Sequence, residues 1–137
     1  MIYQLIYTCA LRAETSLSDL DKIARYMWTH TKDVDITGIT ICKDGSVLQV
    51  LEGDEAVVTD LFKRIIGGPR VTNPLVLIKR NSTQREFRNW SMGYKNASTD
   101  AASFELNADT LAKALPEELS PEVDTIGRTF ARVNGLT

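Results

Sequence analysis

The sequence predicts an α+β fold in which two helices cover one face of a mixed sheet. Short runs with strand-like alternation or β-branched enrichment are interleaved with two stretches of helical spacing. An Asp44-Gly45 pair between two of those runs marks a tight hairpin. The length, 137 residues, suits one domain with a real core.

Residues 2–8 alternate as the first strand, with Tyr3, Leu5 and Tyr7 on one side and Ile2, Gln4, Ile6 and Thr8 on the other. Both sides are largely apolar, as in a strand covered on both faces. Ser18, followed three residues later by Asp21, resembles a capping box. Leu20, Ile23, Ala24, Met27 and Thr31 then recur at helical spacing and predict a helix over 19–30. Ile36 to Cys42 reads as the second strand and Ser46 to Glu52 as the third, across the Asp44-Gly45 turn.

Gly53 ends that strand and Asp54 caps a second helix, whose buried side comes from Val57, Val58, Leu61, Phe62, Ile65 and Ile66. Gly67-Gly68-Pro69 stops it. Pro74 opens a fourth strand, Leu75 to about Arg80, and Trp90 to Tyr94 reads as a fifth. The order β-α-β-β-α-β-β is the split-βαβ, ferredoxin-like plan with one added strand. After a polar loop, Asn107 to about Leu115 reads as a short helix, and Ser120-Pro121 opens another that Asn134-Gly135 closes. Val123, Ile126, Phe130 and Val133 form its apolar stripe, which must pack on the free face of its own sheet or on a partner.

Composition excludes several classes. Sixteen basic against eighteen acidic residues, net −2, gives no reason to expect a nucleic-acid surface or a polybasic membrane patch. No apolar run reaches the ~18 residues of a membrane span. The first charge is Arg12, so the basic opening of a signal peptide is absent. Two cysteines, Cys9 and Cys42, are too few for a disulfide framework or a cysteine zinc site. A cytoplasmic protein with reduced thiols is the expectation.

Catalytic templates fail as well: the chain has no phosphate loop, no GxSxG and no metal-ligand spacing. His30, the one histidine, reads either as an ordinary cation at a helix C-terminus or as a functional group. Gln49 is more unusual. It lies between Val47 and Leu51 on one side of the third strand, and a buried amide there must find hydrogen-bond partners, backbone or otherwise. Tyr7, a phenol inside the first strand, has the same requirement. Trp90 and Met92 share one side of the fifth strand, as core or as something more.

Four segments carry a family resemblance: Leu5-Ile6-Tyr7, Ile36-Thr37-Gly38-Ile39, Leu48-Gln49-Val50-Leu51-Glu52-Gly53 with Arg64-Ile65, and Phe87-x-x-Trp90-Ser91-Met92. In this order over about residues 1–95, the chain resembles the BLUF family of blue-light sensors using FAD. The resemblance implies a flavin-binding domain over 1–97 and a C-terminal helical extension over 98–137, as in short, stand-alone members. It implies non-covalent FAD, with FMN or riboflavin as substitutes, held between the two helices. Tyr7 would be the electron and proton donor, Gln49 the hydrogen-bond bridge to the ring, and Trp90 and Met92 the readout. Ile23 and Ile65 would flank the ring, Arg64 and Arg70 would serve the polar and phosphate side, and His30 would lie near the ring edge. Thr31 stands where the family usually has asparagine, and Gly68-Pro69-Arg70-Val71 keeps only the arginine of the usual Asp-x-Arg-His.

On this reading the chain is not an enzyme. It signals to a downstream protein, forms a homo-oligomer, and engages neither nucleic acid nor membrane. It could be the sensor excised from a longer receptor. A flavin-free interaction module of the same fold is the alternative. A small acylphosphatase-type enzyme is the third reading, and the missing phosphate loop argues against it.

Overall fold

The computed structural model describes residues 1–13, 34–43, 45–88, 94–96 and 119–135. Its elements are β1 (Ile2–Leu11), β2 (Thr37–Lys43), β3 (Ser46–Gly53), α1 (Glu55–Ile66), β4 (Val71–Ser82), β5 (Tyr94–Asn96) and α2 (Pro121–Val133). The helices expected over 19–30 and 107–115 lie outside the described residues. The sheet order is β4-β1-β3-β2-β5, antiparallel throughout except for β2 and β5, which run parallel. β1 and β2 therefore point the same way with β3 between them, the split pairing of a ferredoxin-like α+β fold.

The period of two along each strand divides the core. Tyr3, Leu5, Tyr7 and Cys9 of β1 join Val47 and Leu51 of β3 under Val58 and Leu61 of α1, on what we term the front face. Ile6, Ile39, Ile41, Leu48 and Val50 fill the back face, under Val123, Phe130 and Ala131 of α2. Double coverage explains why β1 is apolar on both sides. It also decides between the two expected locations of the C-terminal stripe: α2 packs on its own sheet. Full burial of a valine or phenylalanine side chain contributes roughly 1.5–3 kcal/mol, so Val123 and Phe130 hold the helix down by several.

Local chemistry accounts for the boundaries. The Asp54 side chain caps α1 by accepting from the Val57 amide, and the Gly67 amide donates back to the Lys63 carbonyl at the other end. Lys43 pairs with Ser46 around a two-residue turn in which Gly45 takes φ +85°. At Gly38 a side chain is excluded by close approach, since a Cβ would lie 1.8 Å from the Val50 carbonyl oxygen.

Two expectations need correction, the start of the fourth strand and the place of Val133. β4 does not begin after Pro74; it runs from Val71 through the proline to Ser82. Among the described residues β4 is an edge strand paired only with β1, and Asn73 (φ +53°) and Pro74 fall where the register shifts between Thr8 and Ala10. Proline is tolerated at such a bulge because its missing N–H breaks no ladder there. Of the expected fifth strand, Tyr94 lies in the described Tyr94–Asn96 strand, and residues 90–93 lie outside the described residues. On α2, Val133 is 75% exposed, while Gly127 and Ala131 are buried. At 100° per residue the stripe centres on Val123, Gly127 and Phe130, leaving Val133 on its flank.

Candidate functional site

One row of side chains crosses three adjacent strands on the front face. Tyr7 of β1 lies opposite Gln49 of β3, which lies opposite Thr40 of β2. The Tyr7 hydroxyl donates to Gln49 Oε1, and Gln49 Nε2 donates to Thr40 Oγ1 at 2.6 Å. Tyr7 and Gln49 are almost wholly buried, at 1% and 3% exposure. Gln49 sits between the apolar Val47 and Leu51, so its amide finds partners along the row rather than in water.

Phe62 of α1 meets the Tyr7 ring edge to face, with centroids 4.7 Å apart and planes at 74°, which fixes the phenol from above. Burial, with a lesser contribution from Cys9, pushes the Tyr7 hydroxyl well above the usual phenol range. Tyr7 is thus a neutral donor at any ordinary pH. Gln49 offers both an acceptor and a donor, and an amide nitrogen carries two protons, of which Thr40 takes one. This donor set fits the acceptor edge of a heteroaromatic ring such as a flavin's N5 and C4 carbonyl.

The other expected site residues divide in two. Ile65 packs half-buried against the front core. Arg64 pairs with Asp60 at 3.0 Å on α1, with both side chains more than half exposed. Arg70 immediately precedes β4, and its carbonyl accepts from the Arg12 amide at 2.9 Å. Ile23, His30, Thr31, Trp90 and Met92 lie outside the described residues. Among the described residues no cluster of His, Cys, Asp or Glu is built to hold a metal ion.

Sequence reasoning missed a second polar assembly on the back face. Glu52 of β3 and Gln4 of β1 are both fully buried and lie directly opposite each other. The Glu52 carboxylate accepts from Gln4 Nε2 at 2.9 Å and from the Glu86 and Phe87 amides. Gln4 Oε1 accepts from Arg80 Nε at 2.8 Å, and Gln4 Nε2 also donates to Glu86 at 2.7 Å. Glu86 accepts in turn from the Ser120 amide and hydroxyl, at the start of α2. Burial alone would raise the Glu86 carboxyl, but the bonds from Gln4 and Ser120 and the Arg80 charge outweigh it and hold it below the usual range. Ser120 therefore begins α2 without using its hydroxyl as a cap. Arg85 ties the same loop to β2, donating to Thr37 Oγ1, the Glu52 carbonyl and Asp35. The sequence signal was available: Gln4 and Glu52 occupy the same kind of interior strand position as Gln49.

Comparison with known proteins agrees with this architecture. A sequence model of the BLUF family, described as sensors of blue-light using FAD, matches residues 2–93. The fold is similar to that of BlrB, a BLUF protein solved in its dark state (26% identity, TM-score 0.70, covering 96% of this chain and 96% of that one). It is also similar to BlsA in a photo-activated state (25% identity, TM-score 0.66, 83% and 78% covered). A bacterial light-regulated adenylyl cyclase matches at 25% identity and TM-score 0.70 over 98% of this chain, which spans only 36% of the cyclase chain. No protein of curated function matches the sequence. Among the described residues no helix is long and apolar enough to cross a membrane. The family's domain is a light-sensing module and not an enzyme. With two thirds of its length matched by the family's own sequence pattern and the fold shared with solved members, the chain belongs to the BLUF family of flavin-based blue-light sensors.

Proposed function

We propose that the chain is a blue-light receptor that holds FAD non-covalently over the front face of its sheet and answers light through the Tyr7–Gln49 hydrogen bond. The observation that carries this reading is that bond itself: a buried phenol donates to a buried amide, directly across two paired strands. A bound flavin would supply blue absorption and an electron-accepting excited state. Tyr7, neutral and next to the ring site, is placed to give up an electron and its hydroxyl proton. Gln49 then has two arrangements of donor and acceptor available, which is a bistable element.

Ile23 and Ile65 flank the ring in this reading, His30 and Thr31 lie at its edge, and Arg64 and Arg70 face the polar and phosphate side. FMN or riboflavin can take the same ring site. Trp90 and Met92 report the change toward β5, and the extension over 98–137 conveys it to a partner protein, with the chain assembled as a homo-oligomer in the cytoplasm. The packing of α2 on the back face supports that route, because the same strands bear Gln49 on one side and the contacts of α2 on the other.

The test is the absorption spectrum of the purified protein. A yellow preparation that shifts red under blue light and recovers in darkness supports the reading. Tyr7→Phe should keep the flavin and lose the shift, because the ring still packs under Phe62 while the donor is gone. A colourless protein favours the flavin-free interaction module, and a normal shift in Tyr7→Phe removes Tyr7 from the mechanism.

A further inference from the structure

We propose that Thr40 is the positioning residue of the Gln49 amide, able to hold it in either of two orientations half a turn apart. The inference rests on the receptor reading above and adds a third member to its switch. Thr40 lies on β2 directly opposite Gln49, and its neighbours Ile39 and Ile41 point to the back face, so its own side chain faces the front. The hydroxyl sits 2.6 Å from Gln49 Nε2.

A hydroxyl both accepts and donates. In the arrangement observed, Gln49 Nε2 donates to Thr40 and Oε1 accepts from Tyr7. Turn the amide by 180° about its last torsion, and Oε1 accepts from the Thr40 hydroxyl while Nε2 faces the Tyr7 oxygen. Both orientations thus find partners at both ends of the row. An aliphatic side chain at position 40 offers neither, and a buried amide group without a partner is costly. The β-branched threonine is also stiff at χ1, so its hydroxyl stays at the amide rather than sampling other wells.

The loss of the hydroxyl does not affect the two orientations equally. As observed, the amide nitrogen has a second proton with which to bond elsewhere. In the turned amide, the oxygen facing β2 takes its proton from Thr40. Removing the hydroxyl therefore penalises the turned orientation more and shortens the life of a light state that uses it. The loss of one net hydrogen bond corresponds to about a 2- to 13-fold change in rate or population.

The experiment uses the flavin-loaded full chain and three variants. Thr40→Val keeps the shape and removes the hydroxyl, Thr40→Ala removes it without added bulk, and Thr40→Ser keeps it. We expect Val and Ala to move the Gln49 side-chain amide resonances in the dark, to alter the light-induced change in the C4 carbonyl stretch, and to recover about 2- to 13-fold faster. Ser should stay within about twofold of the parent on every readout. Unmoved Gln49 resonances with parental recovery in Val and Ala overturn the role of Thr40, as does a Ser variant that behaves like Val. A parent chain with no light response refutes the receptor reading instead, and the dark Gln49 resonances then still decide whether Thr40 holds the amide.

Discussion

Replacing Glu52 by glutamine should destabilise the fold from the face opposite the flavin site. The carboxylate presents two acceptor oxygens to N–H groups alone: Oε2 to Gln4 Nε2 and the Glu86 amide, Oε1 to the Phe87 and Glu86 amides. An amide at position 52 must aim its NH2 at one of these pairs of donors. The less costly choice faces Gln4, whose nitrogen keeps its bond to Glu86. Gln4 cannot turn to compensate, because its oxygen already accepts from Arg80 at 2.8 Å. One bond to a charged acceptor is lost, worth about 1.5–3 kcal/mol, which for a chain of this size lowers Tm by roughly 5–15 °C.

Glu52→Ala should cost about 1–3 kcal/mol more, since it leaves the buried Phe87 amide without an acceptor. Thermal unfolding is measured on flavin-saturated proteins, so that stabilisation by ligand is common to all of them. The dark absorption spectrum, which reports the front face, should not move. A Glu52→Gln protein melting within about 2 °C of the parent would show that the acceptor-only character of this carboxylate is not used, and the reasoning would fail.

Four further outcomes follow from the packing, the buried phenol and the Glu86 carboxylate. Phe130→Ala should lose about 3–5 kcal/mol while Val133→Ser stays within about 0.5, read as urea midpoints; equal effects would mean that α2 does not seat as described. Gly38→Ala should abolish soluble expression or folding, because the added methyl would overlap the Val50 carbonyl oxygen; a normally folded variant would contradict the β2–β3 register. Tyr7, with its raised pKa, keeps its proton where the unfolded chain loses it, so its contribution is full below about pH 10 and declines above. Urea midpoints between pH 8 and 11 should show that decline in the parent and less of it in Tyr7→Phe. Glu86, held low, acts in the other direction: its contribution is lost as pH falls through its folded value, and Glu86→Gln should flatten the acid limb.

What could be read from the sequence is what depends on local pattern. The alternation through Tyr3, Leu5 and Tyr7, the helical spacing from Val57 to Ile66, and the Asp54 and Gly67 boundaries each arise from neighbours a few residues apart. The expectation that Gln49 is a buried amide needing partners came from the same alternation, and the four family segments joined it to Tyr7. Pattern was insufficient where the answer depended on a strand's place in the sheet. Pro74 reads as the opening of a strand, yet an edge position with a bulge lets the strand run through it.

Tertiary structure alone decided who meets whom across strands that are distant in the chain. Register set Gln4 beside Glu52, 48 residues apart and connected by no periodicity, whereas Thr40 falls opposite Gln49 as the two-residue hairpin at Asp44-Gly45 requires. It also brought Glu86 and Ser120 together at the start of α2, and turned a stripe that could have faced a partner onto the chain's own back face. The physical reason is that hydrogen bonding and close packing act over a few ångströms in space. A sequence specifies which side chains need a buried partner, but which groups come within that distance is settled only when the sheet closes its register.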